Sequence, residues 1–153
     1  MKRTVFVAAL LFLAGHWLTA GETTNQPVVA DQARCDAADK VVTKARTWTD
    51  LRVFFDKYLA CDDGYIAEGV SDTVVQILTH RWKSLCQLGT NDSQSTDFRA
   101  WVLGHIDATC AESDLSRVVQ LASKKCPPTE GELCIAIKKA AEAALADLKE
   151  ATK

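Results

Sequence analysis

The sequence predicts an all-α protein, five or six helices forming a disulfide-stapled bundle around a long central helix at about residues 63–88. Three observations carry this. The stretch 61–88, CDDGYIAEGVSDTVVQILTHRWKSLCQL, repeats apolar residues at helical spacing. Nowhere do valine, isoleucine and aromatic residues alternate at period two as a half-buried strand requires. Six cysteines, an even number, all follow a hydrophobic leader and suit an oxidising compartment.

The leader is residues 1–20. Lys2 and Arg3 precede an apolar run from Val5 to Leu13, and Thr19, Ala20 and Gly21 supply small residues for cleavage. This is the pattern of a secretory signal peptide, with an apolar core too short for a membrane span. Residues 21–30 read as a flexible lead, and 31–153 as one helical domain. Loss of Lys2 and Arg3 takes the basic count from 18 to 16 against 20 acids, a net charge of about −4. That balance argues against a nucleic-acid partner.

Asp31 to Arg46 alternates alanine with charge and makes a weakly amphipathic helix. Thr47 and Asp50, three apart, form a capping-box-like start with Asp as a short stand-in for Glu, ahead of Leu51, Phe54, Tyr58 and Leu59. Asp62 and Asp63 open the central helix, where short acceptors and negative charge suit orphan N–H groups and the dipole. Ile66, Val70, Val74, Ile77, Leu85 and Leu88 form its main stripe, with Val75, Leu78 and Trp82 beside it. A helix so broadly apolar is covered on more than one side. At its full extent it would be about 36 Å long.

Gly89 to Ser95 is a loop of turn formers. Ser95 or Thr96 caps a helix with inner face Phe98, Trp101, Val102 and Ile106, running to about Cys110. Ser113 and Asp114 start another, which carries Leu115, Val118, Val119 and Ala122 and stops at Cys126–Pro127–Pro128, since proline cannot continue a helix. Thr129 and Glu132 make a genuine capping box for the last helix, with Leu133, Ile137, Ala140, Ala144 and Leu148 on its face.

In a strict up-down bundle, Cys35, Cys61 and Cys110 fall near one pole and Cys86, Cys126 and Cys134 near the other. Three per pole cannot all pair locally, because a bridge needs Cα atoms within about 7 Å. Either a helix departs from up-down order or two cysteines stay free. Cys126–Cys134 and Cys86–Cys126 both satisfy the sterics.

No constellation in the sequence defines an active site. Beyond the leader only His80 and His105 remain, and neither belongs to a metal motif. Cys-x-x-Cys is absent. Ser71, Asp72 and His80 supply the ingredients of a triad, but on one helix and without a nucleophile elbow. The expectation is no enzyme, no cofactor and no metal. The acidic cluster Asp62, Asp63, Glu68 and Asp72 lacks calcium-loop spacing, and its plain reading is capping plus a solvated face. Its functional reading is a recognition surface for a basic partner. Gly69, which costs a helix about 1 kcal/mol against alanine, permits close approach of another helix or of a partner. Asn91 and Asp92 in the 89–95 loop are further candidate contacts.

GYIAEGVSD after Cys61 resembles the Cys-x-x-Tyr-Ile-x-Gly-Val-x-Asp signature of the Rap/Tai-type immunity proteins. Leu85–Cys86 resembles that family's second cysteine, and DLSRVVQLASKKCP its closing helix and Cys-Pro end. The likeness covers about residues 47–128. Glu68 stands as an insertion between Ala67 and Gly69, and extra cysteines and a long alanine-rich final helix depart from the pattern. The resemblance implies a small periplasmic helical protein that binds and neutralises a peptidoglycan amidase effector of type VI secretion by covering its catalytic cleft. Tyr65, Ile66, Gly69, Val70 and Asp72 match the signature; Ile66, Gly69 and Val70 are expected to pack, and Tyr65 and Asp72 to be exposed. The expected contact set is Asp62, Asp63, Tyr65, Glu68, Asp72, Asn91 and Asp92, with a homodimer left open. A small-molecule carrier with an apolar cavity lined by Trp82, Phe98 and Trp101 is the alternative, and a secreted enzyme a third reading.

Overall fold

The computed structural model describes residues 31–88 and 93–153, with side chains placed at 31–88 and 96–153. The expected signal peptide and lead, and Asn91 and Asp92, therefore lie outside the described residues. Six α-helices follow one another: α1 (Gln32–Lys44), α2 (Trp48–Tyr58), α3 (Gly64–His80), α4 (Ser93–Gly104), α5 (Glu112–Lys124) and α6 (Gly131–Ala151). Two 3₁₀ segments, Leu59–Cys61 and Trp82–Leu88, flank α3, and no strand occurs among the described residues. The all-α class and the disulfide stapling hold.

The central helix is shorter than its sequence pattern implies. It ends at His80, where Arg81 leaves helical geometry (φ −126°, ψ 33°). From there Trp82, Leu85 and Leu88, all buried, fall three apart along a 3₁₀ segment, where positions i and i+3 eclipse. The apolar stripe thus continues while the helix type changes. Trp82 Nε1 donates to Lys125 O at the end of α5 over 2.7 Å, which anchors the change.

The entry to α3 is set by the Asp62–Asp63–Gly64 corner. Gly64 sits at φ +52°, a conformation that strains any residue with a Cβ. Asp63 is the N-cap and its Oδ1 accepts from Gly64 N at 2.7 Å. Asp62 is not a cap; its carboxylate turns inward. α2 carries the expected capping box, with Asp50 N donating to Thr47 Oγ1 and Thr47 N donating to Asp50 Oδ2. These contacts, with the Arg46 backbone N–H first among them, hold the Asp50 carboxyl below its usual range. α6 differs from expectation: it starts at Gly131 after Glu130, which makes no side-chain cap. The Thr129 hydroxyl donates to Glu130 instead, and the Cys126–Cys134 bridge holds the turn. α5 likewise starts earlier than Ser113, after Ala111. α4 starts at Ser93 inside the expected loop and stops at Gly104, short of Cys110.

Cys35–Cys61 joins the start of α1 to the corner before α3, and Cys126–Cys134 closes the α5–α6 hairpin. The first spans 26 residues and the second 8, so by loop entropy the first restricts the unfolded chain by about 1 kcal/mol more. Cys86 is free and exposed, Cys110 free and buried, so neither forms a bridge and Cys86–Cys126 is not made. Cys110 donates its thiol to His105 O, and burial pushes that thiol up to about 11.

With Cys35 beside Cys61 and Val42 beside Gly69, α1 and α3 run parallel, and α2 returns between their ends. α3 also packs on α5, which pairs along its length with α6. Ile66, Val70, Val74, Val75, Ile77 and Leu78 are all buried, so α3 is covered on more than one side. Phe54, Phe55, Phe98 and Trp101 form an aromatic cluster between α2 and α4, and the Arg52 guanidinium lies 4.7 Å from the Phe98 ring centroid.

Candidate interaction surface

Residues 71 and 72 are neighbours on α3 and face opposite environments. Ser71 is 1 % exposed, whereas Asp72 is exposed. The helix therefore has a sealed polar side and an open one.

On the sealed side, Asp62 Oδ2 accepts from Trp101 Nε1 at 2.6 Å and lies 3.0 Å from His105 Nε2. His105 Nδ1 lies 3.0 Å from Ser71 Oγ, which donates to Asp107 Oδ2 at 2.8 Å. An ionised Asp62 can only accept, so Nε2 carries a proton. Ser71 has one proton for two neighbours and gives it to Asp107, with His105 Nδ1 beside its oxygen. Burial pushes the Asp62 carboxyl up, but the hydrogen bonds from His105 and Trp101 and the His105 charge outweigh it, and the carboxyl sits below its usual range. Asp107 follows the same pattern: burial raises it, while Thr109, Ser71 and His105 together lower it further.

Serine, histidine and aspartate thus come together, but not the trio that the sequence brings to mind. Ser71, Asp72 and His80 are separated, since the last two are exposed. The assembled Ser71, His105 and Asp62 are closed in. At 1 % exposure Ser71 Oγ offers no approach for a substrate carbonyl. What the array does is tie the start and middle of α3 to the end of α4. Sequence reasoning missed it, although Trp101 and His105, four apart beside an apolar stripe and followed by Asp107, were its signal.

The open side begins at the α3 N-terminus. Asp63, Tyr65, Glu68 and Asp72 are exposed, Tyr65 to 63 %. Residues 65, 68 and 72 lie three and four apart, on one helix face. Ile66 and Val70 are buried, and a Cβ on Gly69 would come 3.3 Å from Val42 Cγ1, so Gly69 serves the approach of α1. Asp62, expected with the exposed set, belongs to the buried array instead. Beside this acidic edge, α1 and α3 enclose an open groove of about 650 Å³, whose walls include Asp39, Arg46, Asp72, His80 and Arg81 over Val42 and Gly69.

The aromatic residues of the carrier alternative are committed elsewhere. Phe98 and Trp101 stack at 5.7 Å between centroids, and the Trp82 and Trp101 indoles both donate within the fold. Among the described residues no group of histidine, cysteine and carboxylate side chains is arranged to hold a metal, and no helix is long and apolar enough to cross a membrane. No protein-family model, curated protein or solved structure matches this chain.

Proposed function

We propose that this chain is an extracytoplasmic, non-catalytic binding protein that neutralises a protein partner, and that the partner is a cell-wall-degrading enzyme of the peptidoglycan amidase class. The observation that carries the binding reading is Tyr65, 63 % exposed and flanked by the exposed carboxylates of Asp63, Glu68 and Asp72 on a helix otherwise buried in the core. A large aromatic held in water beside unpaired charge is a recurrent anchor of protein interfaces. Its rigidity favours this role, since the Cys35–Cys61 disulfide and the Asp62–His105 contact hold the start of the helix that presents it. The likeness of GYIAEGVSD to the Rap/Tai-type signature supplies the partner class, and the two disulfides and the signal-peptide pattern favour the periplasm.

The test is to use the processed protein, disulfides intact, as bait for periplasmic and secreted proteins, and to assay any co-purified hydrolase with and without it. A one-to-one complex that silences a peptidoglycan amidase is expected. Tyr65→Ala should weaken it by at least about 2 kcal/mol, with smaller losses from Asp63→Lys and Glu68→Lys. Recovery of a small apolar molecule and no protein would instead favour the carrier.

A further inference from the structure

We propose a second binding site in the groove between α1 and α3, one that holds an extended protein segment carrying a basic and an acidic residue four positions apart. The groove is polar in the electrical sense. Because α1 and α3 run parallel, Asp39 and Asp72 stand toward its N-terminal end, and His80 and Arg81 toward its C-terminal end, with Arg46 on the opposite wall. Val42 and Gly69 meet at the Asp39–Asp72 end, and between the two ends Thr73, Gln76 and Ile77 line the groove.

Several carboxylates near α3 are used up by the fold. Asp62 meets His105, Asp50 meets Thr47 and the Arg46 N–H, and Asp107 meets Ser71 and Thr109. Among the described residues, the Asp39, Asp72 and Arg81 side chains make neither an ion pair nor a hydrogen bond, although the Arg81 charge is felt at Asp50. Arg46 spends its Nη1 on Thr43 O and Ala45 O, which points its guanidinium without neutralising it. Opposite charges that line one groove and leave each other unpaired are complementary to a ligand that carries both signs.

The spacing gives the occupant's size. From Asp72 to Arg81 the helix rises about 13 Å, and an extended chain covers this in about four residues. A single amino acid is too short to reach both ends. An extended segment with lysine or arginine at the Asp39–Asp72 end and aspartate or glutamate at the Arg81 end matches the groove in sign and length. This site does not depend on the partner being a hydrolase.

The probe is acetyl-Lys-Ala-Ala-Ala-Glu-amide, titrated into isotope-labelled protein and followed by backbone amide shifts. Acetyl-Lys-Ala-Ala-Ala-Lys-amide and acetyl-Glu-Ala-Ala-Ala-Glu-amide are the same-sign controls. Saturable shifts at Gly69, Asp72, Gln76 and Arg81 are expected, with a Kd in the millimolar range and about fivefold tighter binding than either control. Asp72→Lys, a change at an exposed position, should reverse the ranking in favour of the acidic control. Arg81→Glu should reverse it in favour of the basic one. Equal shifts with all three peptides, shifts away from the groove, no saturation, or a ranking indifferent to both variants would each overturn the proposal. Arg81→Glu, at a residue that lines the groove and lies outside the Tyr65 face, should leave a complex made through Tyr65 intact, so the two readings fail separately.

Discussion

The two sides of α3 use nearly the same chemistry to opposite ends. On one side Asp62, His105, Ser71 and Asp107 are packed within hydrogen-bond reach of one another, and the Asp62 and His105 side chains are each only 11 % exposed. On the other, Asp72, His80 and Arg81 stand in water. The difference lies in what each helix neighbour brings. α4 and the residue after it deliver Trp101 and His105 with donors aimed at Asp62 Oδ2, so burial of charge is partly compensated there, while Oδ1 is buried without a partner. α1 delivers Val42 against Gly69 and leaves the charges above it unmatched. A carboxylate on this helix is structural where donors converge on it and available for recognition where they do not.

The largest effect should come from cutting the sealed array. His105→Leu leaves the Asp62 carboxylate buried with one donor fewer and the Ser71–Asp107 pair without its third member. Removing a donor from a buried carboxylate typically costs about 3 kcal/mol, which for a domain of this size lowers Tm by about 10 °C. Thermal unfolding by circular dichroism measures it. A loss below 1 kcal/mol would erase the distinction between the two sides.

Acid should sharpen the same contrast with a smaller effect. The Asp62 and Asp107 carboxyls are both held below their ordinary value of 3.8 in the folded chain. Groups with depressed folded values bind fewer protons folded than unfolded, so their stabilisation is complete above the ordinary carboxylate value. It is lost as pH falls through the lower folded values. Denaturant unfolding between pH 5 and pH 2 should therefore show stability falling with pH in the wild type. The fall should be shallower in the Asp62→Asn, Asp107→Asn double variant. An undiminished slope in that double variant would contradict the assignment.

Helix positions and the burial of the signature residues were legible in the sequence because periodicity reports them directly. Ile66 and Val70 are inside and Tyr65 and Asp72 outside, as their spacing implies. What was not legible depends on partners far along the chain. Asp62 and Asp63 are equivalent as cap formers, and only the arrival of His105, 43 residues on, decides that Asp62 turns inward. The end of the central helix at His80 was hidden because Trp82, Leu85 and Leu88 satisfy a three-residue period as readily as a 3.6-residue one. The groove was hinted at by Gly69 alone, since its other wall belongs to α1. Cysteine spacing admitted two free thiols but could not name Cys86 and Cys110.

The smallest predicted effect concerns the open side and is informative because it is small. Asp72→Ala and Arg81→Ala remove exposed charges with no ion-pair partner, so each should change folding stability by no more than about 0.5 kcal/mol. The high helix propensity of alanine offsets part of any loss at position 72, which lies inside α3. At position 81 the backbone has already left the helix, and the Arg81 charge acts only at a distance on Asp50. Chemical denaturation of both single variants and of the pair should therefore give additive, near-zero changes. A coupling above about 0.5 kcal/mol between them would mean that the two groups already satisfy each other in the free protein. The groove would then be a second closed array and not an open site, and the contrast across α3 would collapse.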